Sequence, residues 1–272
     1  MSILQAIVLG VVQGLTEFIP VSSSAHLVLV PWLLGWEFSE EIIFAFDVLV
    51  QLGTLVAVFA YFWQDLLAIA RGVVLGLVQR CPVGTPEARL GWLVVLATLP
   101  AGLSLLFKDF LESVFGSPAA TAALLLVTAA LLYVSERLAR RARLLATLTW
   151  VDALIIGFGQ LLAVFPGVSR SGATIAAGLG RGFQRADAAR FSFLMSVPAL
   201  LAAGLIALLD LLTLPNVMAY LPPILAAFLA AAVVGYLSIR WLLGYLNRNS
   251  LYGFAAYCVV ASLFCLLVAA LR

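Results

Sequence analysis

Two serine-rich stretches carry the residues whose types and spacing suit chemistry. The first runs Gln13-Gly14-Leu15-Thr16-Glu17-Phe18-Ile19-Pro20-Val21-Ser22-Ser23-Ser24-Ala25-His26, and the second Gln160-Leu161-Leu162-Ala163-Val164-Phe165-Pro166-Gly167-Val168-Ser169-Arg170-Ser171-Gly172. Together they supply a carboxylate, the sole histidine, a guanidinium and a run of hydroxyls. Each lies inside an apolar segment, where ionisable groups are costly and mark a functional site by default. The set suits the handling of phosphate better than it suits packing.

Gln13 and Glu17 are four residues apart, so a continuing helix puts them on one face. There the carboxylate and the amide oxygen can hold a divalent cation; Mg2+ usually takes one or two carboxylates plus substrate phosphates. The plainer alternative is a buried, hydrogen-bonded glutamic acid that locks two helices. Pro20 breaks the first stretch ahead of Ser22, Ser23 and Ser24. Such a break frees backbone N–H groups at the start of the next half-helix, and with the helix dipole they make an anion site. One of the serines is expected as an N-cap in any case; three exceed what capping needs. His26 shares a face with Ser22 and Ser23 and can act as nucleophile, general acid or general base, or simply pack. Ser169, Arg170 and Ser171 follow Pro166-Gly167 and lead into a helix of small residues. Arg170 offers a planar fork matched to phosphate, with a snorkelling or ion-paired arginine as the alternative. The run lacks the Gly-Lys-Ser/Thr ending of a P-loop. Among weaker candidates, Asp47, Gln51 and Thr54 are placed to line a pocket. Asp152 reads as a helix N-terminal residue, and Asp187, among Arg181, Arg185 and Arg190, as a solvated loop pair.

The elements that position these residues follow from composition. Of 272 residues 64% are hydrophobic and only 10% charged, with a mean hydropathy of +1.15, whereas a soluble domain carries about 25% charged residues. The chain therefore reads as an all-α polytopic membrane protein; its apolar runs are continuous, unlike the alternation of a β-barrel. Full spans are expected at roughly 42–63, 90–107, 118–135, 190–209, 222–241 and 250–271. Regions 2–35 and 151–180 each hold two apolar pieces around a Pro-Ser break. The pieces are too short to cross a core of about 30 Å, so each region reads as a re-entrant hairpin. The stretch 64–80 is either an interfacial helix or part of a longer span. The loops holding Arg71, Arg80, Arg89, Arg137, Arg140, Arg141, Arg143, Arg181, Arg185, Arg190, Arg240 and Arg248 should be cytoplasmic. Loops with Glu37, Glu40, Glu41, Asp109, Glu112 and Asp210, and both termini, should then face outward. Six full transmembrane helices plus two re-entrant hairpins give inverted-topology repeats, about 1–135 and 151–272, within a single integral membrane domain; such repeats commonly enclose a site at their interface. No cleavable signal peptide is expected, since the first basic residue is Arg71. Cys258 and Cys265 are seven apart, roughly 10 Å along a helix, too far for a disulfide. No metal spacing appears among the cysteines.

At its motifs the chain resembles the undecaprenyl pyrophosphate phosphatases, the bacitracin-resistance family of bacterial inner-membrane enzymes. Gln13-Gly14-Leu15-Thr16-Glu17-Phe18 with Pro20-Val21-Ser22-Ser23 is similar to the family's first motif, and Pro166-Gly167-Val168-Ser169-Arg170-Ser171-Gly172-Ala173-Thr174-Ile175 to its second. Phe191-Ser192-Phe193-Leu194 with Val197-Pro198, and Gln51-Leu52-Gly53, are supporting matches. The resemblance implies hydrolysis of a polyprenyl pyrophosphate to its monophosphate and inorganic phosphate, at a site open to the periplasm and dependent on a divalent cation such as Mg2+ or Ca2+. It implies essential roles for Glu17, Ser23, His26 and Arg170, with Ser22, Ser24, Ser169 and Ser171 as substrate-binding hydroxyls and Glu17 with Gln13 at the metal. The expected partners are the lipid substrate and membrane lipids, with no nucleic acid and with a homodimer as one possible assembly. Two departures stand out. Gln13 occupies a position where many members carry Glu, and Ser24-Ala25 replaces a common Thr-Gly. The rival class is a transporter or flippase for a polyprenyl phosphate or another anion, which inverted repeats and broken helices fit equally well.

Overall fold

The computed structural model describes residues 1–38, 40–103, 117–213 and 217–272, less the side chains of 40–45, 48, 206–213 and 217–220. Asp109 and Glu112, the side chains of Glu40, Glu41 and Asp210, and the end of the expected span 90–107 lie outside the described residues. The chain runs through α1 (Ile3–Thr16), α2 (Ser23–Leu34), α3 (Glu40–Tyr61), α4 (Trp63–Val78), α5 (Pro86–Gly102), α6 (Pro118–Leu138), α7 (Trp150–Leu162), α8 (Arg170–Gly180), α9 (Arg185–Thr213), α10 (Val217–Leu246) and α11 (Tyr252–Leu271). Among the described residues there is no strand, only an isolated bridge between Arg143 and Phe183.

This is a multi-pass membrane protein. Among the described residues four helical segments are long and apolar enough to cross a bilayer: Pro118–Leu138, Arg185–Leu205, Leu221–Leu246 and Tyr252–Leu271. A fifth would be the pair Leu49–Tyr61 and Trp63–Val78, which bend by 80° about Phe62. The 64–80 stretch is thus a separate helix, α4, turned sharply away from α3. Phe62 sits at the corner, 1% exposed, with its ring 6.5 Å from that of Phe193 on α9. The helices flanking the two serine-rich breaks are short: α1 has 14 residues, α2 12, α7 13 and α8 11. At about 1.5 Å per residue they reach roughly 16–21 Å, short of a hydrocarbon core of about 30 Å.

Small residues let these short helices press against long neighbours. A Cβ on Gly10 of α1 would meet the carbonyl of Ala227 on α10, and one on Gly157 of α7 would meet the carbonyl of Ala97 on α5. In lipid, where apolar burial drives no association, such close backbone approach is a main source of packing energy. The Ala97 carbonyl also accepts a hydrogen bond from Gln160 Nε2 at 3.0 Å, which fixes α7 against α5 one turn beyond the glycine. Gly157→Ala should therefore lower stability by about 1–3 kcal/mol through overpacking, read as a drop in Tm in detergent. An unchanged Tm would mean that α7 and α5 do not approach this closely.

The Arg-rich loops are pinned by two buried carboxylates. Asp152 forms a capping box with Thr149 at the start of α7, and it accepts Arg143 Nη2 at 2.6 Å and Arg181 Nε at 2.7 Å. Glu136 on α6 accepts Arg185 Nε at 3.0 Å and the backbone N–H of Leu251 at 3.3 Å. Asp187 is no solvated pair for its arginine neighbours: it accepts the backbone N–H of Leu145 at 2.8 Å, because the 139–149 loop folds back on the start of α9. Arg190 pairs instead with Asp65 of α4, at 2.6 Å. Cys258 and Cys265 are free and buried.

Candidate active site

The first break builds a carboxylate–hydroxyl pair. Glu17 follows α1 but keeps αR geometry, so the helical spacing carries one residue past the helix and Gln13 Nε2 donates to Glu17 Oε2 at 3.0 Å. Phe18, 1% exposed, anchors the turn edge-on to Phe193 with centroids 5.3 Å apart. The chain then reverses at Ser22, whose φ of 71° and ψ of 97° lie where a residue with a Cβ is strained, at a cost of about 1–3 kcal/mol. Local bonds hold that strain. Ser22 Oγ caps the Ala25 N–H at 3.4 Å, and the Ser22 carbonyl accepts from His26 Nδ1 at 2.8 Å. The result aims Ser23, the first residue of α2, back at the end of α1: Ser23 Oγ donates to Glu17 Oε2 at 2.7 Å.

The second break delivers the guanidinium. Gly167 adopts φ +109°, and a Cβ there would collide with the Thr121 carbonyl and Leu124. Thr128 of α6 stitches the turn, donating to the Gly167 carbonyl at 2.8 Å and accepting from the Ser169 N–H at 2.9 Å. Ser169 Oγ caps Gly172 N–H at 3.0 Å, so Arg170 opens α8, and its Nη2 pairs with Glu17 Oε1. Residues 153 apart in sequence thus meet at one carboxylate.

Two cavities flank this cluster. The larger, about 700 Å³, has Glu17, Ser23, Ser24 and Arg170 at one part of its wall and apolar residues such as Leu99, Pro198 and Ala202 at another. The second, about 580 Å³, shares Ser23, Ser24 and Gln51 with the first and adds Gln13 and Asp47. Ser22 and Ser169 line the larger cavity as caps. Thr54 turns inward and bonds the Gln51 carbonyl at 2.7 Å.

Two expected site residues line neither cavity. Ser171 is buried against Ser169, with hydroxyls 3.1 Å apart. His26 points to α11, where its Nε2 meets the hydroxyl of Tyr257 at 2.7 Å and the rings stack 5.7 Å apart. A carbonyl can only accept, so the Ser22 bond keeps the proton on Nδ1; in the neutral ring Nε2 then accepts the phenol O–H. The i, i+4 spacing that places His26 near the serines also turns its ring back over the Ser22 carbonyl. Tyr257 had no signal in the sequence, since a tyrosine in a terminal apolar helix is ordinary.

Residues 6–264 match the family described as bacitracin resistance protein BacA. The chain belongs to this family. Curated proteins named undecaprenyl-diphosphatase are similar along nearly the whole length. One from Methanosphaera stadtmanae is 44% identical over 96% of this chain and 95% of its own. Another, from Chloroherpeton thalassium, is 44% identical over 98% and 96%, and one from Thermomicrobium roseum is 44% identical over 98% of each.

The divalent cation implied by resemblance to the bacitracin-resistance family can be tested against the side chains present. Among the described residues no three His, Cys, Asp or Glu side chains gather as a metal cluster, so those residues would supply part of a shell. The chain does offer a suitable beginning: Gln13 is 1% exposed, and its Oε1 has no hydrogen-bond partner among the described residues. A hard, unpartnered amide oxygen fits Mg2+ or Ca2+, with substrate phosphate and water oxygens in the rest of the shell.

Proposed function

We propose that this chain hydrolyses undecaprenyl pyrophosphate to the monophosphate and inorganic phosphate, recycling the lipid carrier of cell-wall synthesis and conferring bacitracin resistance. The observation that carries this reading is the meeting of Ser23, Glu17 and Arg170 on the wall of a cavity that is otherwise largely apolar. A hydroxyl hydrogen-bonded to a carboxylate is an activated nucleophile, the guanidinium is a phosphate clamp, and the apolar wall suits a prenyl chain.

In this mechanism Arg170, which uses one nitrogen on Glu17, turns its remaining donors to the phosphate oxygens. The half-helices α2 and α8 both begin at the cavity, and their N-termini favour negative charge there. Ser23 Oγ attacks the terminal phosphorus while its proton passes to Glu17 Oε2. The bond from that phosphorus to the bridging oxygen breaks, and the monophosphate leaves with the electron pair. Water then attacks the phosphoserine phosphorus as its bond to Ser23 Oγ breaks, Glu17 returns its proton to Ser23 Oγ, and inorganic phosphate departs carrying the water oxygen and both of its protons, one of which it sheds to solvent. Phosphoryl transfer of this kind depends mainly on positioning and charge stabilisation. Gln13 would hold a divalent cation beside this cluster, which would offset charge on the phosphate oxygens; Glu17, engaged by Gln13, Ser23 and Arg170, serves as the base.

The membrane arrangement we infer is six spans plus two re-entrant hairpins, α1–α2 and α7–α8, in inverted repeats of about 1–135 and 151–272. Reciprocal packing supports it: Gly10 of α1 meets Ala227 of α10, as Gly157 of α7 meets Ala97 of α5, so each hairpin leans on a helix of the other half. With the Arg-rich loops cytoplasmic, the site opens to the periplasm and both termini lie outside.

The test is phosphate release from a long-chain prenyl pyrophosphate by purified protein in detergent, with and without EDTA. EDTA-sensitive release is expected. No release from folded protein, across several lipids and metals, would favour a flippase or transporter, whose work needs two compartments.

A further inference from the structure

We infer that Asp47 is a ligand of the divalent cation and that the second cavity, rather than the pocket in front of Glu17, is where the cation sits. This rests on the phosphatase reading for its purpose, but its geometry is separate. Gln13 Nε2 is committed to Glu17 Oε2 at 3.0 Å. Flipping the amide would set two acceptor oxygens against each other, so hydrogen bonding fixes its orientation. Gln13 Oε1 therefore points away from Glu17. It is buried and unpartnered among the described residues, and Gln13 lines the second cavity but not the first. The Glu17 oxygens are meanwhile engaged by Gln13, Ser23 and Arg170.

Two carboxylates line the second cavity, Asp47 and Glu37. Glu37 is exposed in the link between α2 and α3, where water solvates its charge. Asp47 is partly buried on α3, and its carboxylate has no hydrogen bond or ion pair among the described residues. A carboxylate in an apolar helix needs a counter-charge or a proton, and a cation shared with Gln13 Oε1 supplies one. Gln51 follows Asp47 by one helical turn and lines both cavities, as do Ser23 and Ser24. A cation held by Asp47 and Gln13 would thus border the edge where the two cavities meet and where a phosphate reaches Ser23. The chain would in this way recover the carboxylate that is missing at position 13.

The cavity carries its own reporter, since Trp32 and Trp36 line it as well. The experiment is Tb3+ binding to the full protein in nanodiscs of zwitterionic lipid without substrate, read as tryptophan-sensitised luminescence and competed by Ca2+ and Mg2+. Saturable, competed emission is expected. Asp47→Asn should weaken it by about tenfold or more, Asp47→Glu should keep it, and Gln13→Glu should strengthen it by about tenfold, since ligand charge sets the affinity of such sites. Asp65→Asn, a carboxylate of the Arg-rich side, should leave it unchanged. Wild-type affinity in folded Asp47→Asn, or no binding by the wild type, overturns the site. Phosphate release by the same preparation separates the two ideas: release with unaltered Tb3+ affinity in Asp47→Asn sinks the cation site alone, whereas an intact cation site without release sinks the phosphatase reading alone.

Discussion

Ser23→Ala is expected to lower kcat for phosphate release by about 10⁴-fold or more, the scale on which losing a nucleophile acts, while leaving Tm nearly unchanged. The side chain removed is one hydroxyl at the start of α2, and it does not cap the helix; Ser22 does. What disappears is the oxygen held 2.7 Å from Glu17 Oε2. His26→Ala should lose much less, about 10–100-fold, because His26 lines neither cavity and both its ring nitrogens are occupied. Its effect runs through the strained Ser22, whose carbonyl it holds. The decisive readout is turnover quenched with SDS at neutral pH, which preserves both phosphoserine and phosphohistidine, with substrate labelled at the terminal phosphate. Wild type should retain label on the protein and Ser23→Ala none. Label retained by Ser23→Ala and lost in folded His26→Ala would move the nucleophile to the histidine.

Arg170→Lys should reduce kcat/KM by about 10³-fold or more, within the range that a transition-state arginine contributes to phosphoryl transfer. The variant keeps the positive charge opposite Glu17 and so spares most of the ion pair. It loses the planar fork, which an ammonium cannot reproduce on a phosphate. Arg170→Ala should be at least as inactive and less stable, because Glu17, 9% exposed, would be left as a nearly buried unpaired charge; breaking such a pair costs about 3–5 kcal/mol. Comparing the variants separates clamp from scaffold. Near-normal turnover by Arg170→Lys would remove Arg170 from the chemistry and leave it as a strut between the two breaks.

Much of this site was legible before any coordinates. Ionisable groups inside apolar segments are rare enough that Glu17 and Arg170 stand out by position alone. The Gln13–Glu17 pairing follows from helical spacing, and a capping serine at each break follows from the orphan N–H groups of a helix start. Helix ends are less legible, and the 80° bend at Phe62 is not encoded in the pattern, because an apolar run does not reveal a corner. Asp187 does not pair with the arginines around it, because its partner is a backbone N–H of a folded-back loop, which no side-chain pattern encodes.

Types, local spacing and burial preference were thus determined by the sequence alone, because they depend on residues within a turn or two of one another. Tertiary structure decided which face each group presents and which distant group it meets. It brought Arg170 across 153 positions to Glu17, turned His26 away to Tyr257 on α11, and set Asp47 and Gln13 around one cavity. The reason is physical: those outcomes depend on how close helices can approach, which glycines such as Gly10 and Gly157 control through contacts far away in the chain.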